Sequence, residues 1–214
     1  MGTFSFHETK NITSAGEGGL LIINEKSFSE RATIIREKGT NRSLFFRGLV
    51  DKYSWVDIGS SYLLNDISAA YLLAQLKNIN KIQKNRIKTW NTYFKNLKPL
   101  NNLNLISLPT IPKECTNNAH IFYIKVKNLA ERDKLLQYLK NNSIEAVFHY
   151  VPLHNSNAGK IFTNFDGEDK YTTEESNKLI RLPLYYGLTE KEIKKICKVI
   201  KSYFKKESKI HVKS

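Results

Sequence analysis

Apolar and polar residues alternate from Thr3 to Thr9, and a compact apolar run occupies Gly18 to Asn24 after the small residues Ser14-Ala15-Gly16. Alternation with a period of two puts one set of side chains on each face of a strand, so the pattern predicts two neighbouring strands joined by a turn. Ser27 to Lys38 predicts a helix, with Ser27 or Ser29 near its cap and Gly39 just past its end. Residues 39–64 then form a long connection that carries Arg42, Phe45, Phe46, Arg47, Tyr53, Trp55 and Tyr62. Connections of that length inside a globular domain are usually functional or form an interface. From Asp66 onward, apolar residues recur at Ile67, Ala70, Leu73, Leu76, Ile79 and Ile82, then at Ile87, Trp90, Phe94 and Leu97. This is helical spacing, and it predicts one or two consecutive long helices with a kink in the polar stretch Asn80 to Asn85.

The second half alternates strand and helix patterns. Strands are expected at Leu103–Leu108, His120–Lys127 and Ile144–Tyr150, with a short one at Arg181–Leu184. Helices are expected at Ala130–Asn141 and Thr172–Ile180, and a last one, capped by Thr189, runs to Phe204. This alternation places the chain in the α/β or α+β class. The domain boundary is expected near residue 85, giving segments 1–85 and 86–214. No internal repeat is visible.

Composition narrows the picture without deciding it. The 214 residues are 41% hydrophobic, enough to build a packed core. No run reaches the roughly 20 apolar residues that span a bilayer. The first residues lack a charged start followed by an apolar stretch, so no secretion signal is expected. The formal charge of +14 would favour acidic partners. The lysines are spread along helix-like stretches among Asn and Ile, however, which reads as solvated faces. No nucleic-acid recognition motif accompanies them. Only Lys205 to Lys213 reads as a charged, frayed end. Cys115 and Cys197 show no metal or redox spacing and are expected to be free buried thiols in a reducing cytosol.

The residue with the most chemical promise is Lys10, within Ser5-Phe6-His7-Glu8-Thr9-Lys10-Asn11-Ile12-Thr13-Ser14-Ala15-Gly16-Glu17-Gly18-Gly19. A lysine held between strands can be fixed and desolvated, which lowers its pKa and makes the amine a nucleophile able to form a Schiff base. The Gly16-Glu17-Gly18-Gly19 turn brings the chain back with little side-chain bulk and leaves room for a ligand. Among the other motifs, His149 and His154 flank Tyr150-Val151-Pro152, a spacing that is no known metal-ligand geometry. The Arg and aromatic residues of the long connection suit either a nucleotide diphosphate sugar or a dimer interface.

The Lys10 block, through Gly-Glu-Gly-Gly and the following apolar strand, closely resembles the pyridoxal-phosphate lysine segment of the DegT-type sugar-nucleotide aminotransferases. The resemblance runs from about Gly2 to about Phe204 and corresponds to the C-terminal portion of that family. It implies an α/β fold, the end of the large-domain sheet of a type I aminotransferase plus a small C-terminal α/β domain. It also implies that Lys10 forms a Schiff base with pyridoxal 5'-phosphate and then moves a proton on the substrate. In Gly59-Ser60-Ser61-Tyr62-Leu63 the family commonly has Gly-x-Asn-Tyr-Arg. Ser61 stands where an Asn reaches the cofactor phosphate of the partner subunit, and Leu63 stands where the family has Arg. Arg47 and Tyr53, in the Arg-aromatic connection, are expected to bind the substrate, and His154 aligns with a substrate-side histidine.

The segment holding Arg47 and Tyr53 is most similar to the branch that makes dTDP-4-amino-4,6-dideoxygalactose. The implied reaction is amino transfer, with glutamate as the expected donor, to the 4-keto carbon of a dTDP-4-keto-6-deoxyhexose for surface polysaccharide synthesis. A cytoplasmic homodimer is implied, with no nucleic-acid or membrane partner and no metal. The family residues that stack on the cofactor ring and pair its nitrogen lie upstream of the matched region. The chain is therefore expected to be a truncated or split product, working with a separate N-terminal fragment. The alternative is a non-catalytic relic or a nucleotide-sugar-binding fragment.

Overall fold

The computed structural model describes residues 1–211, with side-chain surroundings through Lys206. The chain divides into two compact units, Met1–Ile79 and Asn80–Ser214.

The first unit opens with a hairpin of β1 (Gly2–Ser5) and β2 (Gly19–Ile22), antiparallel, with Gly2 opposite Ile22 and Phe4 opposite Leu20. The pairing continues past the strand ends through Phe6 N–H to Gly18 O (2.7 Å) and Glu8 N–H to Gly16 O (2.8 Å). The fully buried Ser14 shares its hydroxyl proton between the carbonyls of Phe6 (3.1 Å) and Glu17 (2.7 Å). A Cβ at Gly18 would lie 2.4 Å from that hydroxyl, which is why glycine stands there. A single 3₁₀ turn at Lys26–Phe28 leads into α1 (Ser29–Arg36).

The long connection after α1 contains one short helix, α2 (Arg42–Phe46), that the pattern did not predict. Buried polar groups lock this connection. The Thr40 hydroxyl donates to Glu37 O (2.6 Å), and the Asn41 amide donates to Lys52 O (3.1 Å) while accepting from Ser54 N–H (2.7 Å). Gly39, at φ +74°, lies against Gly59 and Asp57, and a Cβ there would sit 1.8 Å from the Asp57 carbonyl. Helix α3 (Asp66–Lys77) starts at Asn65, whose side chain accepts from Ser68 N–H at 2.9 Å, a standard way to satisfy a free helix donor. None of α1, α2 or α3 has a buried residue.

Helix α4 (Ile79–Asn102) follows after the single residue Asn78, so the expected kink is instead a break between two helices. In the second unit β3 (Phe122–Lys125), α5 (Leu129–Asn141), β4 (Val147–Phe148), α6 (Asn157–Phe162), α7 (Thr172–Lys178), β5 (Leu179–Leu182) and α8 (Glu190–His211) follow. The sheet order is β3-β5-β4, antiparallel throughout, with Phe122 opposite Leu182 and Val147 opposite Arg181. One apolar core joins α4 (Trp90, Tyr93, Leu97), β3 (Phe122, Ile124), α5 (Leu135, Leu139), β5 (Ile180, Leu182) and α8 (Ile193, Cys197, Ile200). Full burial of one such side chain stabilises by about 1.5–3 kcal/mol. Phe122 is central, 5.3 Å from the Trp90 ring and 5.0 Å from Tyr93.

Several expected elements are shorter or displaced. Leu103–Leu108 is not a strand. Leu105 N–H turns back to Leu100 O, and only Ser107 bridges to Lys125. The strand expected from Arg181 starts two residues earlier, because Ile180 and Leu182 both bury against the core. Helix α8 runs past Phe204 to His211, and the rest of the expected charged end lies outside the described residues. Thr189 and Glu192 form a capping box: Glu192 N–H donates to the Thr189 hydroxyl (3.3 Å), and Thr189 N–H donates to the Glu192 carboxylate (2.8 Å). Cys197 is buried as expected, which pushes its thiol pKa up to about 12, but Cys115 is exposed. Among the described residues, no helix is long and apolar enough to cross a membrane.

Candidate functional site

Lys10 lies in the turn of the hairpin, anchored by its N–H to His7 O at 2.9 Å. The turn is organised by side chains on either side. His7 Nδ1 pairs with the Thr9 hydroxyl (2.9 Å) and accepts from Thr9 N–H (3.2 Å), while His7 Nε2 faces Glu17 at 3.5 Å. The Lys10 side chain is exposed, so residues of this unit do not supply the desolvation expected for it. Its amine has no hydrogen-bond or ion-pair partner among the described residues. The backbone is held in the turn while the side chain extends to the surface.

Ser61, Arg47 and Tyr53 share that character. Ser61 bridges Glu37 through the backbone and leaves its side chain exposed. Arg47 follows α2, and Tyr53 sits in the segment pinned by Asn41; both are exposed. The polar ends of all three lack partners among the described residues. Neighbouring arginines are occupied: Arg31 pairs with Asp57 (3.1 Å), Arg36 with Glu37 (3.0 Å), and Arg42 lies 4.8 Å from the Phe46 ring. No contact joins Lys10 to Ser61, Arg47 or Tyr53. All four belong to Met1–Ile79, and His154 belongs to the other unit.

His154 is half-buried and engaged. Its Nε2 is 2.8 Å from Asp169 Oδ2, and its ring lies 4.3 Å from Phe165. Asp169 also accepts from the Thr173 hydroxyl and from Thr173 N–H (3.2 Å), and Thr173 in turn accepts from the Asn155 amide at 2.7 Å. The Thr173 hydroxyl, more than His154, holds the Asp169 carboxyl below the usual carboxylate range. Sequence reasoning missed Asp169 because it lies 15 residues from His154 and is joined to it only by the fold. His149 is different again. Its Nδ1 accepts from Arg181 at 2.9 Å, and partial burial together with that guanidinium lowers its pKa, favouring the neutral ring. Arg86, also missed, is buried and donates to the carbonyls of Ala119 (3.1 Å) and His120 (2.6 Å); burial lowers its pKa to about 10. Among the described residues, no three His, Cys, Asp or Glu side chains are grouped to hold a metal.

The model of the DegT/DnrJ/EryC1/StrS aminotransferase family matches residues 1–201, nearly the whole chain. The chain belongs to this family. Among curated relatives, GDP-perosamine synthase of Vibrio cholerae is 28% identical over 214 residues, 94% of this chain and 52% of its own length. A Helicobacter pylori UDP-4-amino-4,6-dideoxy-N-acetyl-beta-L-altrosamine transaminase is also 28% identical, over 94% of this chain and 52% of its own length. The chain thus spans about half the length of the curated relatives it matches. Among solved structures, the aminotransferase TlmJ from Streptoalloteichus hindustanus superposes with a TM-score of 0.82 at 19% identity, covering 97% of this chain and 52% of that one. S. venezuelae DesV, in complex with a ketimine intermediate, gives 0.81 at 23% identity, covering 94% of this chain and 50% of that one. These likenesses establish the fold, α/β and part of a type I pyridoxal-phosphate aminotransferase. DegT-family aminotransferases depend on pyridoxal phosphate.

Proposed function

We propose that this chain carries the lysine half of a pyridoxal-phosphate-dependent sugar-nucleotide aminotransferase. The observation that carries the reading is Lys10. Within a match covering residues 1–201, it presents an exposed, unpartnered amine from a backbone pinned at His7 and followed by the Gly16-Glu17-Gly18-Gly19 turn. Residues present here fit the cofactor at two points: Lys10 as the attachment amine, and Ser61 as a hydroxyl donor to the phosphate of the cofactor held by the partner subunit. When bound, the cofactor supplies the electron sink for amino transfer. Lys10 would then move the proton at the substrate carbon. Arg47 offers an unoccupied guanidinium fork to a diphosphate, and Tyr53 offers a ring face to the base or sugar. In the second unit, Asp169 orients the ring of His154, the histidine that the resemblance places on the substrate side.

The substrate read from the loop around Arg47 and Tyr53 is a dTDP-4-keto-6-deoxyhexose, aminated at C4 to dTDP-4-amino-4,6-dideoxygalactose for a surface polysaccharide, with glutamate as donor. The working state is a cytoplasmic homodimer. The second reading, a nucleotide-sugar-binding fragment without catalysis, is favoured by the exposed side chains of Arg47 and Tyr53. One experiment separates the two. The chain is incubated with pyridoxal phosphate, alone and with the unmatched half of the Vibrio cholerae GDP-perosamine synthase added, reduced with borohydride and peptide-mapped. An adduct on Lys10, lost in Lys10→Ala, is expected. Its absence in both mixtures removes the catalytic reading.

A further inference from the structure

The basic residues of the second unit are unevenly paired. On the side of β3, α5 and α7 they meet acids: Lys125 pairs with Glu175, Lys178 with Glu174, and Arg132 with Asp133 at 3.0 Å. Between α4 and α8 the balance differs. An open furrow of about 760 Å³ runs there, lined by Lys84, Lys88 and Lys95 from α4 and by Glu190, Lys194 and Lys201 from α8. Lys194 pairs with Glu190 at 2.6 Å, and the other four lysines have no ion-pair partner among the described residues. Lys194 foremost, then Lys88 and Lys95 from the facing helix, hold the Glu190 carboxyl below the usual carboxylate range, so both helices direct charge into one space. The furrow is preformed, because α4 and α8 are fixed by the same apolar core through Trp90, Tyr93, Ile193 and Ile200.

We infer that the α4–α8 furrow binds a linear chain of phosphates without bases, an inorganic polyphosphate. The lysines stand in two rows. Lys84, Lys88 and Lys95 are spaced about 6 Å and then about 10 Å along α4, and Lys194 and Lys201 about 10 Å along α8. Rows of cations suit a ligand whose negative charge repeats along its length. An ammonium is a point charge that donates to phosphate oxygens in any direction, whereas planar carboxylates and base edges are matched by arginine forks. Among the described residues, no arginine lines the furrow. Single-stranded nucleic acid is held by stacking of its bases as well as by charge, and no aromatic side chain lines the furrow either. Neither α4 beyond Ile79 nor the described part of α8 exposes a large apolar side chain that could enter a lipid surface. The site belongs to the second unit alone and needs neither Lys10 nor pyridoxal phosphate.

To test this, the full chain is titrated calorimetrically with short-chain linear inorganic polyphosphate, with an oligothymidylate, and with vesicles of phosphatidylcholine and phosphatidylglycerol. Saturable binding of polyphosphate is expected, weakening as salt is raised because the contacts are between exposed charges. The double variant Lys88→Gln, Lys95→Gln should weaken it at least tenfold. The double variant Lys134→Gln, Lys140→Gln removes the same charge from α5 and should bind within twofold of the parent. Unchanged amide exchange at β3 and β5 verifies that both variants are folded. Absence of saturable binding, a furrow variant that binds like the parent, or equal weakening by the two double variants would overturn the assignment. Equal or tighter binding of the oligothymidylate or the vesicles, lost in the furrow variant, would overturn it too and give the furrow to nucleic acid or to a membrane surface.

Discussion

Met1–Ile79 and Asn80–Ser214 use similarly apolar segments to opposite effect. Phe122, Ile124, Leu135 and Ile180 in the second unit are 0% exposed, whereas Leu20, Leu21 and Ile22 in the first are 49%, 47% and 40% exposed. The first unit is ordered by hydrogen bonds around Ser14, Thr40 and Asn41, and the second by one contiguous apolar core. An apolar pattern therefore states that a side chain is made to be covered, and leaves open what covers it. The candidate cofactor lysine sits on the uncovered side of that divide.

The sharpest way to break this comparison is to truncate one apolar residue in each unit. Phe122→Ala should destabilise the second unit by about 3–5 kcal/mol through loss of transfer energy and a residual cavity. In the chain alone, Leu21→Ala should change stability by less than about 0.5 kcal/mol. Urea denaturation reads both, and equal effects would erase the contrast. Next in size, Arg86→Met should cost about 1–3 kcal/mol, because the Ala119 and His120 carbonyls lose their buried donor. If calorimetry finds Arg86→Met neutral, polar groups do not help to hold the second unit's core. Thr189→Ala removes half of the α8 capping box and should cost about 1 kcal/mol in the same urea assay.

The smallest effect expected is a pH dependence. Burial and Arg181 lower the His149 pKa, so the unfolded chain binds a proton there more readily than the folded chain does. Stability must then fall as pH drops below about 6.5, the unfolded value, and level off once the folded ring protonates too. Asp169 and Glu175, whose folded pKa values are also lowered, should add a further loss at more acidic pH. His149→Gln, which keeps an acceptor for Arg181, should flatten the first part of the curve. An unaltered curve in that variant would assign the slope to other groups.

The sequence conveyed periodicity well and pairing poorly. Helices α3, α4, α5 and α8 were legible because apolar residues recur on one face, and the hairpin was legible from alternation and the glycine-rich turn. The short helices α2 and α6 escaped because fewer than two turns give no period to detect; α6 is set by Ser156, whose hydroxyl accepts from Gly159 N–H at 2.9 Å. Leu103–Leu108 misled because apolar residues packed from a turn look like those of a strand. Of the candidate site, Lys10, Ser61, Arg47 and Tyr53 could be named from the sequence, and their exposed, unpartnered state could not. The His154–Asp169–Thr173 cluster is invisible in sequence because its members meet only after α7 is placed.

The central claim is that the second unit carries its own apolar core while the apolar residues of the Lys10 hairpin are exposed. Native-state amide hydrogen exchange on the chain alone tests it most directly. The account predicts that β3 and β5 amides exchange orders of magnitude more slowly than those of Leu20, Leu21 and Ile22. Equal protection of the two sheets in the isolated chain would contradict it.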